Sequence, residues 1–210
     1  MRIKPTSTLL FVGDSITDCG RQRDSGASDL GGGYVAQVQA LIGAHHPQAR
    51  LRILNSGISG NRVTDLEHRW ERDVLAHRPD WVSLLIGIND VWRQFDDPFA
   101  DQVSERAYSA KLASLIERTV PLVEEMLVLS PFFLETNPAD PMRAMMDRYG
   151  AAAKAVAERK GVHFVDLQAA FDRWLVDNPT QLLCADRVHP NAVGHQIIAS
   201  AFLNAVGFKW

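Results

Sequence analysis

Residues 9–18 read LLFVGDSITD, and this stretch decides the fold that we expect. An apolar run, 8–12, stops at a Gly-Asp-Ser turn, which is typical of a buried strand that delivers a side chain at its carboxyl end. Four more short apolar runs follow, at 51–54, 81–86, 126–129 and 162–165. They alternate with segments of helical periodicity at 34–44, 63–76, 105–125, 142–160 and 192–206.

Strands that alternate with helices indicate a parallel sheet with helices on both faces. Five such strands suit a flavodoxin-like, doubly wound order, 2-1-3-4-5, in a three-layer α/β/α architecture. For a chain of 210 residues, we expect one domain over residues 1–210. We interpret the polar segment 95–105, which contains Pro98, as a surface loop of that domain.

Composition narrows the range of partners and locations. The formal net charge is only -3 and no basic stripe is visible, so we expect no nucleic-acid partner. The two cysteines, Cys19 and Cys184, do not make a disulfide framework, which favours the cytoplasm. No apolar run is long enough for a signal-peptide core or a membrane span, so we expect no membrane partner. A homo-oligomer remains open.

Two segments far apart in the sequence contain the parts of a nucleophilic relay. Ser15 follows the first predicted strand, and residues 186–190, DRVHP, place Asp186 three positions before His189. Serine is a weak nucleophile and needs a base to take its proton, and the base needs a carboxylate to orient it. The alternative is structural: Ser15 as a helix N-cap, and 186–190 as a surface turn before the last helix.

The turns after the second and third predicted strands supply further polar groups. Residues 55–61 read NSGISGN and residues 87–90 read GIND. In a 2-1-3-4-5 sheet these turns lie beside the one that contains Ser15, at the edge where such folds bind ligands. A serine, a glycine-rich turn and the Asn89 amide together form a nucleophile with an oxyanion hole. Alternatively, Gly57 and Gly60 only form turns and Asn89 or, better, Asp90 caps a helix.

These four blocks, in this order, resemble the SGNH hydrolases, or GDSL esterases, across nearly the whole chain. The resemblance implies that Ser15 is the nucleophile, His189 the base and Asp186 the residue that orients it. It also implies three oxyanion donors: the backbone N–H groups of Ser15 and Gly57, and the side-chain amide of Asn89.

Longer stretches are similar to the intracellular acetyl xylan esterases: GDSITDCGR (13–21), GISGN (57–61), IGINDVWRQ (86–94) and DPMR (140–143). This similarity implies a serine esterase that deacetylates xylo-oligosaccharides or related small acetylated carbohydrates, with no metal and no organic cofactor. One alternative is a thioesterase or lysophospholipase of the same family, which needs a long apolar acyl groove. The other is a non-catalytic carbohydrate-binding protein, against which the complete reactive set argues.

Trp92 is the main candidate for a substrate contact outside the relay. Aromatic faces suit sugar rings, so Trp92 is a candidate platform near the oxyanion block, and core packing at a helix start is the equal alternative. Asp14, Ile58 and Asn61 are further candidates for substrate binding.

Two other interpretations have less support in the sequence. An α/β-hydrolase elbow requires Gly-x-Ser-x-Gly, and Thr17 stands where the second glycine belongs. The pair His45-His46 is better interpreted as a solvated helix end than as a metal site, because neighbouring residues on a helix point apart.

Overall fold

The computed structural model describes residues 1–97, 99 and 101–210, so the part of the predicted loop at Pro98 lies outside the described residues. Five parallel strands form one sheet in the order β2-β1-β3-β4-β5. They are β1 Thr8–Gly13, β2 Arg52–Gly57, β3 Trp81–Leu85, β4 Glu125–Leu129 and β5 His163–Val165. The predicted α/β fold and strand order are confirmed.

Eight α-helices occur in the described part of the chain. They are α1 Ser15–Asp18, α2 Tyr34–His45, α3 Val63–Asp73, α4 Ile88–Asp96, α5 Glu105–Thr119, α6 Pro141–Lys160, α7 Leu167–Leu175 and α8 Ala192–Ala205. Helices α2 and α7 pack against α8, and α3 and α6 pack against α5. Right-handed crossovers place these two groups on opposite faces of the sheet, which gives the three layers.

The central strand explains why the opening sequence is continuously apolar. Leu9, Leu10, Phe11 and Val12 are fully buried, because helices cover both faces of β1 and neighbouring strands cover both edges. Burying each of these side chains contributes about 1.5–3 kcal/mol.

Two helices differ from the prediction for local reasons. Helix α5 ends at Thr119 instead of 125, since Pro121 has no N–H to continue it and Glu125 already begins β4. Helix α7 was not predicted. Asp166 is its N-cap, and the carboxylate of Asp166 accepts from the Ala169 N–H at 2.9 Å. Its buried positions follow a helical spacing, Leu167, Ala170, Phe171 and Leu175, so the signal was present in the sequence.

Helix α4 extends into the first residues of the predicted loop at 95–105. Asp90 does not cap it: Gly87, with φ 135°, stands at its N-cap. Both carboxylate oxygens of Asp90 instead accept from the Val63 N–H, at 3.1 and 3.2 Å, and so cap α3. Asp90 therefore ties the starts of two helices together beside the carboxyl end of the sheet.

Among the described residues, no helix combines the length and the apolar character needed to cross a bilayer. The cytoplasmic location and the lack of a nucleic-acid partner stay predictions.

Candidate active site

Strand register places the three motif turns side by side. Gly13, the last residue of β1, pairs with Gly57 at the end of β2 and with Leu85 at the end of β3. The turns that follow these strands therefore begin at the same level of one sheet edge. This is the switch point of a doubly wound sheet, where such folds bind ligands.

At this edge Ser15, His189 and Asp186 form one chain of hydrogen bonds. Ser15 Oγ lies 2.8 Å from His189 Nε2, although the two residues are 174 positions apart. His189 Nδ1 lies 2.7 Å from Asp186 Oδ2. The side chains of both His189 and Asp186 are 44% exposed, so a ligand can reach the His189 ring directly.

Local backbone chemistry presents Ser15 at the start of α1. Asp14 accepts from the Ile16 N–H at 3.0 Å and caps this one-turn helix. A Cβ on Gly13 would lie 2.3 Å from the Leu85 carbonyl oxygen, so only glycine fits the approach to β3. Because Asp14 is fully buried, the prediction that it contacts substrate is wrong: its carboxylate points into the protein to serve the helix.

Three donors hold the other oxygen of Asp186. Oδ1 accepts from the Cys184 thiol at 2.9 Å, the Val188 N–H at 3.0 Å and the His189 N–H at 2.8 Å. Burial opposes ionisation of Asp186, but the hydrogen bonds from Cys184 and His189 outweigh it and hold the pKa well below its ordinary value. An ionised Asp186 keeps the proton of His189 on Nδ1, which leaves the Nε2 lone pair facing Ser15.

Arg187 fixes the segment between the two residues of the relay. Its φ of 65° is left-handed, which is unfavourable for a non-glycine residue. Its carbonyl accepts from the Leu134 N–H at 2.9 Å, and its guanidinium binds Glu135 at 2.8 Å and lies 4.8 Å from the centre of the Phe133 ring. These contacts offset the backbone strain and attach the segment to the 133–135 segment that follows β4.

Of the predicted oxyanion donors, Gly57 is not available. Its N–H donates to Asn55 Oδ1 at 2.8 Å, and an N–H has only one proton. Gly57 is required for packing instead, since a Cβ there would lie 2.2 Å from the Asp18 nitrogen. The Ser15 N–H opens α1, where helix geometry provides no acceptor. Asn89 donates one amide hydrogen to the Asn61 carbonyl at 3.0 Å and keeps the other.

The next glycine of the same motif has the free donor that Gly57 lacks. Gly60 adopts φ 81° in the turn after β2. In the described part of the chain no hydrogen bond engages its N–H. Its neighbour Ser59 donates twice to Asp18 of α1, at 3.0 Å each, and its other neighbour Asn61 accepts from Asn89. Gly60 thus lies between the Ser15 helix and Asn89, a position for which the sequence indicated only a turn.

A buried arginine braces this whole edge. The Arg69 guanidinium donates to the carbonyls of Gly13 at 3.0 Å and Ser56 at 2.8 Å, and to Asn61 Oδ1 at 2.7 Å. Asp73 balances its charge at 3.1 Å. Arg69 could not be predicted from the sequence, because nothing in a charged helical segment shows that one side chain turns inward. Asn61 serves this brace, and its contact with substrate stays a prediction.

Trp92 lies beside the relay. Its ring is 5.9 Å from the His189 ring, and it is only partly buried against the core. Ile58 is also partly exposed, and its N–H donates to the Gly13 carbonyl at 3.1 Å. Substrate contact by Trp92 and Ile58 stays a prediction.

Residues 11–197 match the model of the GDSL-like lipase/acylhydrolase family. The chain belongs to this family. An acetylxylan esterase of Geobacillus stearothermophilus is 50% identical over 100% of this chain and 98% of that protein. A GDSL lipase of Mycobacterium tuberculosis is 40% identical over 74 residues, which are 35% of this chain and 29% of that lipase.

Solved structures agree with this membership. The crystal structure of the Geobacillus acetylxylan esterase superposes with a TM-score of 0.97 at 49% identity, over 100% of this chain and 98% of that chain. An α/β hydrolase from the metagenome of Lake Arreo gives a TM-score of 0.97 at 47% identity, over 99% and 98%. Three further structures are of catalytic mutants of the Geobacillus enzyme. In these mutants alanine replaces the serine at position 15, an aspartate, or the histidine three positions after that aspartate.

Proposed function

We propose that this GDSL-family protein is a serine esterase that removes acetyl groups from acetylated xylo-oligosaccharides. The observation that carries the proposal is the hydrogen-bonded chain from Ser15 Oγ through His189 to Asp186, at 2.8 and 2.7 Å. The full-length similarity to an acetylxylan esterase supports the acetylated sugar as substrate. The aspartate–histidine spacing of that enzyme's catalytic mutants equals that of Asp186 and His189.

In the first step Ser15 Oγ attacks the acetyl carbonyl carbon while His189 Nε2 takes its proton. Asp186 stabilises the imidazolium that forms. The carbonyl oxygen becomes an oxyanion, and its donors are the Ser15 N–H, the second amide hydrogen of Asn89 and the Gly60 N–H. These donors are fixed before the reaction, since Arg69 and Asn61 hold the turns that present them.

The tetrahedral intermediate then breaks its bond to the sugar oxygen, and His189 protonates the leaving alcohol. Acetate remains as an ester on Ser15. Water, activated by His189, attacks this acetyl-enzyme, and release of acetate restores the serine hydroxyl. The sugar therefore leaves from the side of the site on which His189 lies.

Acetate release tests the proposal. The unmodified protein is expected to release acetate from acetylated xylo-oligosaccharides and to prefer acetyl over octanoyl nitrophenyl esters. Ser15→Ala should lower kcat by on the order of 10³-fold or more with an unchanged melting temperature, because Ser15 lies in a strand-end turn with little packing. A serine-directed organophosphorus reagent should label Ser15. A preference for octanoyl esters would favour the thioesterase or lysophospholipase alternative, and full activity of the variant would refute the nucleophile.

A further inference from the structure

A cleft of about 290 Å³ opens beside the relay, between α4 and the start of α6. We call it the α4–α6 cleft. It joins the active site through Trp92, whose ring is 5.9 Å from that of His189, and through Arg187, two positions before His189. The side chains that matter here are Trp92, Phe95, Asp96, Asp140, Met142 and Arg187.

One wall of the cleft is apolar and accessible. Phe95 is 44% exposed, although it belongs to a helix with a buried face. Trp92 is partly buried, and Met142, which also lines the cleft, is buried. Covering a large apolar side chain that is exposed next to an active site removes apolar surface from water, which stabilises the complex with the ligand. The C–H face of a sugar ring is such a ligand, because it covers an aromatic side chain while its hydroxyls stay outward.

The rim of the cleft holds charged side chains with oxygen and nitrogen atoms that make no hydrogen bond within the described residues. Asp140 uses Oδ1 to cap α6, accepting from the N–H groups of Met142 and Arg143 at 3.0 Å each. Its Oδ2 lies 3.7 Å from Arg187 Nη1. Asp96 binds Arg93 through Oδ2 at 2.9 Å. Within the described residues, no hydrogen bond engages Asp140 Oδ2, Asp96 Oδ1 or Arg187 Nη2.

An apolar wall next to a charged rim favours a ligand that has hydroxyl groups. A sugar hydroxyl donates to a carboxylate and accepts from a guanidinium, so it can use both kinds of rim atom. A long acyl tail would cover two carboxylates and a guanidinium and give them no partner. The volume lies at the lower end of ligand pockets, which fits one sugar ring better than a long chain.

We propose that the α4–α6 cleft binds the xylose unit next to the acetylated one. The inference rests on the proposed function, in which His189 protonates the leaving sugar oxygen and the rest of the sugar extends on that side. The cleft lies on the same side, so a second xylose unit would contact Phe95, Asp96 and Arg187 while the acetyl group lies at Ser15.

The test compares acetylated xylobiose with acetylated xylose. In the unmodified protein kcat/KM for the disaccharide should exceed that for the monosaccharide about tenfold, since remote binding energy orients the reacting ester. Phe95→Ala and Asp96→Asn should each reduce this ratio about fivefold. Leu122→Ala is the matched control, because Leu122 is an exposed apolar residue before β4, at the opposite end of the sheet. The control should leave the ratio unchanged.

The outcomes separate this inference from the proposed function. If neither acetylated sugar releases acetate, the proposed function fails and the cleft loses its substrate. If both are hydrolysed with equal kcat/KM, or if Phe95→Ala lowers both equally, the cleft does not bind a second xylose unit and the esterase function stands. Melting temperatures of the variants show that each protein is folded.

Discussion

The Cys184 thiol donates a hydrogen bond to Asp186 Oδ1 across 2.9 Å. Burial, and then the neighbouring Asp186, raise the pKa of the thiol to about 11, so at neutral pH the sulfur keeps the proton that it donates. The residue that orients His189 is therefore itself oriented, partly by a side chain two positions before it. Cys184 therefore contacts the relay.

Cys184→Ala should lower kcat roughly fivefold, because the thiol is a weak donor whose hydrogen bond contributes about 1 kcal/mol, and Asp186 would retain only its backbone donors on Oδ1. Cys184→Ser is the matched control, since its hydroxyl can still donate. Steady-state kinetics on an aryl acetate measure both variants. Equal kcat in the alanine variant and the unmodified protein would show that the thiol only fills space.

Asn89→Ala tests the side-chain donor of the oxyanion hole. We expect kcat to fall by about 10²–10³-fold, since one preorganised donor stabilises the transition state by about 3–4 kcal/mol. KM should change little, because the donor acts on charge that develops only during attack. The variant also loses the 3.0 Å bond to the Asn61 carbonyl, so its melting temperature is measured alongside. An unchanged kcat would reduce Asn89 to a brace for the Asn61 turn.

Because His195 is buried, we expect the free energy of unfolding to fall in mildly acidic solution. The ring is 5% exposed, and Nδ1 accepts from the Tyr34 N–H at 3.2 Å. Burial, and secondarily the charge of His189, lower its pKa to about 4. The unfolded chain takes up this proton near pH 6.5 and the folded protein only near pH 4. The contribution of His195 to the free energy of unfolding is therefore complete above pH 6.5. About 3 kcal/mol of it is lost as the pH falls from 6.5 to 4.

Urea unfolding of His195→Asn measures this contribution. The asparagine oxygen can accept from Tyr34 but does not titrate, so the variant should lose about 3 kcal/mol less than the unmodified protein between pH 7 and pH 4. The two proteins are compared because burial raises the pKa of Asp14 and Asp90 to about 7. These two carboxyl groups stabilise the folded protein as the pH falls, which opposes the effect of His195 and is shared by both proteins. Parallel stability curves would contradict the assignment.

Trp92→Ala distinguishes a sugar platform from core packing. A platform predicts that kcat/KM falls about tenfold more for acetylated xylo-oligosaccharides than for an aryl acetate, because only the larger substrate reaches the ring. Core packing predicts equal losses on both substrates and a lower melting temperature, since truncating a buried tryptophan costs about 3–5 kcal/mol. The partial burial of Trp92 beside His189 makes the substrate ratio the deciding measurement.

Local chemistry explains what could be predicted of the site. Ser15 and the pair Asp186 and His189 lie in short motifs whose residue types suit the reaction, and the strand order brings them to one edge. Gly57 and Gly60 show where this reasoning failed. Both stand in the same turn motif, and only the Asn55 side chain decides that the Gly57 N–H is occupied.

The sequence by itself determined the five strands, most of the helices and the reactive residues, because periodicity and turn chemistry act over a few neighbouring residues. The alternation of these elements then indicated the doubly wound sheet order. The tertiary structure alone decided that Asp90 caps α3, that Arg69 turns inward to hold the ends of β1 and β2, and that Cys184 holds Asp186. A buried polar group takes whatever partner the fold brings within about 3 Å. That partner depends on distances in space, which local sequence patterns do not encode.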